Sequence, residues 1–304
     1  MELFSKMLSQ QLVLFCLIAV GFLLRKIGMV SDAGRKNLSD ILINAILPCN
    51  ILHAYLGGIQ ATGDLLWDCV RMVLISAGIQ LLAAVSGRLL FARFPAGRQS
   101  VMRYGLICSN SSFIGLPIAE VFFGDLGVMY TSVFQIPIRF TMWTAGLSLF
   151  TPVSRKEAFR KLVRHPCIIA VVLGLGLLLW PVALPGFLDD SITALSRCTT
   201  PISMLVVGSL LADAPLGALF SRTVLWFSAL RLVLFPLAVY ALTLPLALNS
   251  LTRGICLLMT AMPIGSTAAI LADKYGGDAA FASQLGFTST LLSILTIPLM
   301  SLLM

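Results

Sequence analysis

Ten long apolar stretches follow one another along the 304 residues, separated by short polar connections. A helix needs about 20 predominantly apolar residues to cross the hydrocarbon core of a bilayer. By that length the pattern predicts ten membrane-spanning helices, near residues 8–25, 37–56, 66–90, 99–123, 126–150, 166–184, 190–212, 222–247, 252–273 and 279–303. We therefore expect an all-α, multi-pass membrane protein.

The fourth and ninth stretches contain polar and helix-breaking residues where a span is normally apolar throughout. They read Ser109-Asn110-Ser111-Ser112-Phe113-Ile114-Gly115-Leu116-Pro117 and Ala261-Met262-Pro263-Ile264-Gly265-Ser266-Thr267. Non-helical backbone at membrane depth is tolerated only where protein buries it or it lines a cavity, and paired interruptions indicate a transporter's binding site. We predict that helices four and nine are broken and cross; the alternative is a simple proline kink relieved by neighbouring helices.

Sequence features of the first half of the chain recur in the second half. Residues 1–150 hold five predicted spans, residues 151–165 form a basic connection, and residues 166–304 hold five more. The break in span four has its counterpart in span nine, and a Gly-Asp pair follows each break, at 124–125 and 277–278. Because five is an odd number, the second half must enter the membrane upside down. The sequence therefore predicts two inverted five-helix repeats.

Composition and charge fit a membrane protein rather than a nucleic-acid-binding one. Hydrophobic residues make up 58% of the chain and charged residues 11%, and the mean hydropathy is +0.97. The net charge of +8 arises mostly from Lys and Arg in the odd-numbered connections. Since cytoplasmic connections carry the excess of positive charge, we expect those connections in the cytoplasm and both termini outside. The cell (inner) membrane is the predicted location, and no nucleic-acid partner is expected.

Arg139 is a charged residue deep in the fifth stretch. It lies about a dozen residues from either end of that span, roughly 18 Å at the rise of an α-helix. A charge near the bilayer centre costs at least about 2.5 to 3.5 kcal/mol. The acidic residues lie in connections or near span ends, so an anionic substrate, held by the guanidinium fork, is the predicted partner. The alternatives are pairing with backbone carbonyls or with Glu120.

Other polar side chains near the span ends have simpler interpretations. Interfacial anchoring accounts for Arg71, Arg231, His53 and His165. Glu120 and Asp273 precede the two Gly-Asp pairs by the same distance; such carboxylates could carry protons for coupling, although shallow ones are usually solvated or salt-bridged. The seven cysteines and two histidines show no spacing typical of a metal site. We expect neither a metal nor a cofactor.

Three sets of residues in and after the breaks form recognisable motifs. They are Asn110-x-x-x-x-Gly115-Leu116-Pro117 with Phe123-Gly124-Asp125, Ala261-Met262-Pro263 with Ala272-Asp273-Lys274-Tyr275-Gly276, and the closing segment from Thr288 to Pro298. In these motifs the chain resembles the auxin efflux carrier family, which contains plant PIN carriers and bacterial organic-acid carriers.

That resemblance implies a scaffold of spans 1, 2, 6 and 7 and a moving transport unit of spans 3–5 and 8–10. It also implies homodimers formed through the scaffold and an elevator-like shift of the transport unit. In the family pattern Asn110 would hold a substrate carboxylate, and Pro263 would set the break in span nine.

The chain departs from the plant members at two places. Ser109 stands where they have a proline directly before the asparagine, and residues 151–165 form no long central loop. The resemblance is therefore to the compact, bacterial-type members. A small mono- or dicarboxylate such as malate or malonate suits a deep arginine better than auxin does.

We predict a secondary transporter that moves a small organic anion across the bilayer by elevator-like alternating access. The predicted substrate-binding residues are Ser109, Asn110, Ser111, Ser112, Gly115, Pro117, Gln135, Arg139, Pro263, Gly265, Ser266 and Thr267. A sodium- or proton-coupled carrier of related inverted-repeat fold is the alternative, although cation exchange normally uses a mid-membrane carboxylate. An intramembrane enzyme, the alternative from another class, needs a nucleophile with a base or a metal cluster.

Overall fold

The computed structural model describes residues 2–56, 62–180, 184–213 and 220–304, and helices dominate all four ranges. The first half contains α1 (Glu2–Lys26), α2 (Asp32–Ile41), α3 (Leu47–Leu56), α4 (Gly63–Leu90), α5 (Ala96–Ile107) and α6 (Leu116–Thr141). The connection and the second half contain α7 (Arg155–Val163), α8 (Pro166–Leu179), α9 (Gly186–Arg197), α10 (Thr199–Leu211), α11 (Arg222–Ala229), α12 (Phe235–Thr243), α13 (Ser250–Thr260), α14 (Thr267–Lys274) and α15 (Ala279–Ser301). Single π turns join α2 to α3 and α11 to α12.

Six helical segments within the described ranges are long and apolar enough to cross a membrane. They are Asp32–Leu56, Gly63–Leu90, Ser111–Leu149, Gly186–Leu211, Arg222–Thr243 and Ala279–Ser301. A seventh is obtained if α7 and α8, which meet at 56°, are counted together. An all-helical, multi-pass membrane protein is confirmed. The count of ten spans and the inverted repeat stay predictions.

A glycine interrupts α6 at the predicted boundary between spans four and five. Gly124 has a φ of +60° and a ψ of −150°, a conformation that side chains exclude and glycine adopts freely. The helix therefore consists of two segments joined by a sharp turn. Gly276, with a φ of +72°, lies in the connection between α14 and α15, where the sequence predicts the boundary between spans nine and ten.

Polar residues of the short connections define where several helices begin. The side chains of Thr62, Ser221, Asn249 and Asp278 each accept a hydrogen bond from a backbone N–H in the first turn of α4, α11, α13 and α15. The first amides of a helix have no partner inside it, so such caps stabilise the helix start.

The helices pack in two groups. In the first group, α1 lies along α10 so closely that a Cβ on Gly21 or Gly208 would collide with the backbone of the other helix. The same group contains α3, which packs against α8 and α9. The second group combines α4, α5 and α6 with α11 to α15. The two groups meet where α3 contacts α6 and where α10 contacts the turn after the first break.

Candidate functional site

The two breaks lie against each other and form a short antiparallel bridge. The N–H of Asn110 donates to the carbonyl of Pro263 at 2.8 Å, and the N–H of Gly265 donates to the carbonyl of Cys108 at 2.9 Å. These bonds satisfy backbone groups that the interruptions remove from the helices. A continuous, kinked helix would not exchange such bonds with a second chain segment, so the proline-kink alternative is wrong. We call this pairing of the two breaks the crossing.

Helical structure restarts beside the crossing on both segments. After Asn110 the chain forms the π turn Ser111–Gly115 and then α6, and after Ser266 it forms α14. Within the described ranges, no side chain caps either start. The first amides of a helix carry partial positive charge and lack intrahelical acceptors. Both restarts therefore offer N–H groups suited to an anion.

Two cavities flank the crossing and share Asn110, Gly265 and Ser266 in their walls. The larger has a volume of about 500 Å³ and extends along α10, α14 and α15 to Arg35 and Asp213. The smaller has a volume of about 110 Å³ and is lined by Ser109, Ser112, Thr267, Arg139 and His165, among others. Two separate cavities thus border the crossing.

Arg139 lies in the wall of the smaller cavity and is only 7% exposed. Its Nη2 donates to Gln135 Oε1 at 2.7 Å and to Ser112 Oγ at 3.3 Å. Across the described ranges, no carboxylate lies within ion-pair distance of this guanidinium. The alternative pairing with Glu120 is wrong, since that carboxylate accepts from Asn50 Nδ2 at 3.3 Å instead.

His165 is a site residue that the sequence interpretation missed. It was expected to be a lone surface anchor, yet Arg139 Nη1 lies 2.8 Å from its Nε2 and 3.1 Å from its Nδ1. Its Nδ1 also accepts from the N–H of Cys167 at 3.3 Å, which caps α8. In a neutral imidazole whose Nδ1 accepts from Cys167, Nε2 carries the proton, so Nδ1 is the acceptor available to the guanidinium. His165 therefore contacts Arg139 without cancelling its charge. The available signal was the His-Pro pair that starts α8.

Gln135 connects Arg139 to the first break. It is 1% exposed, its Nε2 donates to the carbonyl of Ser111 at 2.9 Å, and its Oε1 accepts from Ser112 Oγ at 3.1 Å as well as from Arg139. Because both ends of the amide are used, the position of the guanidinium relative to the π turn is fixed.

The twelve predicted site residues divide into two sets. Seven of them line the cavities beside the crossing: Ser109, Asn110, Ser112, Arg139, Gly265, Ser266 and Thr267. The other five do not line these cavities. Gln135 holds Arg139 through its side-chain amide, Ser111 and Pro263 contribute backbone carbonyls to hydrogen bonds, and Gly115 and Pro117 are buried where helices pack. A Cβ on Gly115 would lie 3.0 Å from Met259 Sδ, so that glycine allows close packing. Thr267 Oγ1 lies 2.8 Å from the hydroxyl of Tyr104.

Arg231 contradicts its predicted role as an interfacial anchor. It is 2% exposed, its Nε has no hydrogen-bond partner among the described residues, and its guanidinium lies 5.8 Å from the ring centroid of Phe235. It borders a cavity of about 10 Å³ together with Gln80 and the last turns of α5 and α13. The depth estimate failed because neighbouring helices, rather than lipid or water, surround this part of span eight. Arg71, in contrast, is exposed and pairs with Asp68 at 3.2 Å.

The two candidate coupling carboxylates have different surroundings. Glu120, on the first segment of α6, accepts from Asn50 on α3, and Asn50 also donates to Ser196 Oγ on α9 at 3.1 Å. It therefore lies at the contact between the two packing groups. Asp273 is exposed and lines the larger cavity.

Comparison with known proteins identifies the type of protein to which this site belongs. A family model described as membrane transport protein matches residues 7–161 and 153–301. An uncharacterized transporter from Methanothermobacter thermautotrophicus is 27% identical over 296 residues, which cover 94% of each chain. Another from Methanocaldococcus jannaschii is 22% identical over 299 residues, covering 95% of this chain and 96% of that one. The chain therefore belongs to the membrane transport protein family, the auxin efflux carrier family that its broken helices resemble.

Proposed function

We propose that this protein is a secondary transporter for a small organic anion, a mono- or dicarboxylate of the malate or malonate type. The observation that carries the proposal is Arg139, a buried guanidinium that borders a cavity and has only neutral hydrogen-bond partners in the described residues. A buried charge without a counter-charge is strongly destabilising. An anion that binds beside Arg139 removes that penalty and can accept two parallel hydrogen bonds from its fork.

The crossing supplies the remaining donors for a carboxylate. Asn110, Ser112 and Thr267 bring an amide and two hydroxyls to the smaller cavity. The uncapped starts of the π turn and of α14 add backbone N–H groups and partial positive charge. In the proposed bound state one carboxylate accepts from these groups while Arg139 neutralises its charge.

Alternating access is the proposed mechanism of transport. In the proposed cycle the larger cavity, which reaches Arg35 and Asp213, is the path from the cytoplasm to Asn110. The second packing group, corresponding to spans 3–5 and 8–10, then moves against the first, corresponding to spans 1, 2, 6 and 7. The ten-span inverted repeat, a homodimer formed through the first group, and an inner-membrane location with both termini outside belong to this proposal.

Proton coupling through Glu120 is the alternative that a specific contact favours, since this carboxylate bridges the two packing groups through Asn50. A sodium-coupled carrier is the other alternative. Uptake that depends on a pH gradient and is lost in Glu120→Gln would assign proton coupling, and uptake that depends on sodium would assign sodium coupling. Turnover of the solute into a new product would indicate an intramembrane enzyme instead.

A ligand screen on the purified protein tests the proposed substrate class. Small organic acids are added singly, and the thermal unfolding midpoint is compared with that in the matching neutral amide. A ligand that binds only the folded state stabilises it by about 2.7 kcal/mol at one hundred times its Kd. We expect dicarboxylates to raise the midpoint of wild type and of Arg71→Ala, whose arginine is exposed, but not that of Arg139→Ala. Equal stabilisation of Arg139→Ala would refute the proposed site.

A further inference from the structure

The short helix α7 lies in the basic connection between the two halves of the chain. It meets α8 at 56°, so the two cannot both run along the membrane normal. It packs against the turn Met142–Gly146 that follows α6, and Lys161 Nζ lies 5.0 Å from the ring centroid of Trp143. The sequence assigns this part of the chain to the basic, cytoplasmic connection. By that predicted topology, α7 lies at the cytoplasmic surface of the helix bundle.

The surface of α7 has an apolar edge bordered by cations. Ala158 is 3% exposed and faces the protein, whereas Phe159 and Val163 are 63% and 50% exposed. These two residues are four positions apart and so lie on one face of the helix. The adjacent row, Lys156 and Arg160, is exposed as well. An apolar edge flanked by basic side chains is the pattern of helices that lie in the membrane–water interface.

We infer that α7 lies in the cytoplasmic headgroup region and binds anionic phospholipid headgroups through Lys156, Arg160 and Arg164, with Phe159 and Val163 inserted at the acyl boundary. Charge complementarity identifies the occupant, because the cytoplasmic leaflet is anionic and attracts basic segments beside membrane spans. In the ranges that the structure describes, no carboxylate forms an ion pair with these three cations. Their charge is thus available to the lipid.

A very short connection joins α7, the proposed lipid-binding helix, to the candidate site. Only Arg164 separates Val163, the last residue of α7, from His165, whose ring contacts Arg139. The carbonyl of His165 also accepts from the N–H of Ile168 at 2.9 Å in the first turn of α8. Anionic lipid that holds α7 therefore also holds the corner that places His165 against Arg139. The binding itself is independent of the solute that is transported.

Hydrogen–deuterium exchange on the full-length protein tests this inference. The protein is placed in nanodiscs of phosphatidylcholine alone or of phosphatidylcholine mixed with phosphatidylglycerol. We expect amide exchange across residues 156–168 to slow by at least about tenfold in the anionic discs. Each basic residue near an anionic surface contributes roughly a fivefold preference, so the three together favour the lipid-bound state by about a hundredfold. Added salt should reduce the difference, since exposed charges are screened.

Two charge variants distinguish lipid binding by α7 from a general attraction between anionic lipid and the basic residues of the cytoplasmic side. The triple variant Lys156→Gln, Arg160→Gln, Arg164→Gln should lose the lipid-dependent slowing. The matched control Lys36→Gln, Arg88→Gln, Arg93→Gln removes three exposed cations in or near other odd-numbered connections and should keep it. Equal exchange in neutral and anionic discs would overturn the inference, as would slowing that persists in the α7 variant. Slowing produced in neutral discs by soluble polyglutamate, but not by anionic lipid, would assign the surface to a protein partner and also overturn it.

Discussion

Arg139 and Arg231 are two buried arginines that border the same crossing, and their surroundings differ in one decisive respect. Arg231 lies beside the last turns of α5 and α13, where helix carbonyls carry partial negative charge, and above the ring of Phe235. Arg139 lies beside the restarts after the breaks, where amides carry partial positive charge. The helix-end dipoles beside Arg231 therefore favour its charge, although its Nε has no hydrogen-bond partner among the described residues, whereas those beside Arg139 add to the positive potential.

The cavities next to the two guanidinium groups also differ, in volume and in lining. The cavity at Arg231 is about 10 Å³, close to the volume that a single water molecule requires. The cavity at Arg139 is about 110 Å³ and is lined by hydroxyl groups and an amide. Burial alone thus does not define a binding site; a buried charge without compensation, placed next to open space, does.

The largest effect expected from this comparison is on the stability of an Arg231 variant. Arg231→Ala should lower the free energy of unfolding by about 3 kcal/mol, since it leaves a cavity and two uncompensated helix ends. Thermal unfolding in detergent measures the change, with Arg71→Ala expected to stay within about 0.5 kcal/mol of wild type. The folded fraction of Arg231→Ala should retain its affinity for the anion. A fully stable variant that cannot bind would reverse the roles assigned to the two arginines.

A smaller effect is expected from the amide that holds Arg139. Gln135→Leu removes an acceptor from the guanidinium and a donor to the carbonyl of Ser111. Hydrogen bonds to charged groups contribute about 1.5 to 3 kcal/mol, so anion affinity should fall by at least about tenfold, measured by calorimetry.

Gln80 provides the matched control for Gln135. It is 6% exposed, borders the cavity of Arg231, and its Oε1 has no hydrogen-bond partner in the part of the chain that the structure describes. Gln80→Leu should therefore leave anion affinity unchanged and be neutral or slightly stabilising. Equal losses of affinity in both variants would show that the two arginines are not functionally distinct.

The smallest effect is expected for the ion pairs of Asp213, because their arginines already have a carboxylate partner. Asp213 accepts from Arg25 Nε at 2.9 Å and also from Arg35. Burial acts to raise the pKa of Asp213, but the hydrogen bonds from Arg25 and Arg35 and their charges outweigh it and lower the pKa below its usual value. The resulting stabilisation is present above the unfolded pKa of about 3.9 and is lost as the pH falls through the folded pKa. Since the side chain of Asp213 is 40% exposed, we expect less than about 1 kcal/mol.

A pH series of thermal unfolding isolates this contribution. The difference in stability between wild type and Asp213→Asn should be constant at neutral pH and shrink as the pH falls below about 4. A difference that grows on acidification would contradict the assigned direction of the pKa.

The sequence predicted the breaks because their signals are local. The polar, Gly and Pro residues between Ser109 and Pro117 and between Ala261 and Thr267 disfavour a continuous apolar helix. The structure places the breaks at residues 108–110 and 261–265 and pairs the two segments. Gly124 likewise lies at a predicted span boundary, and its positive φ follows from the turn that the boundary requires.

The environments of the charged residues were not predictable in the same way. The contact between Arg139 and His165 joins residues 26 positions apart and depends on how the corner between α7 and α8 folds back. Arg231 was misplaced because counting from span ends measures depth but not which neighbours surround a helix. Depth is a property of one span, whereas compensation of a charge depends on the tertiary packing of several.

Uptake of radiolabelled malate or malonate into proteoliposomes tests the central claim, that Arg139 supplies the counter-charge for an anionic cargo. Wild type and Arg71→Ala should accumulate the label. Arg139→Ala should abolish uptake while remaining folded, and Arg139→Lys should recover only part of it because an ammonium cannot form the two-pronged contact. Unchanged uptake by folded Arg139→Ala would contradict the account.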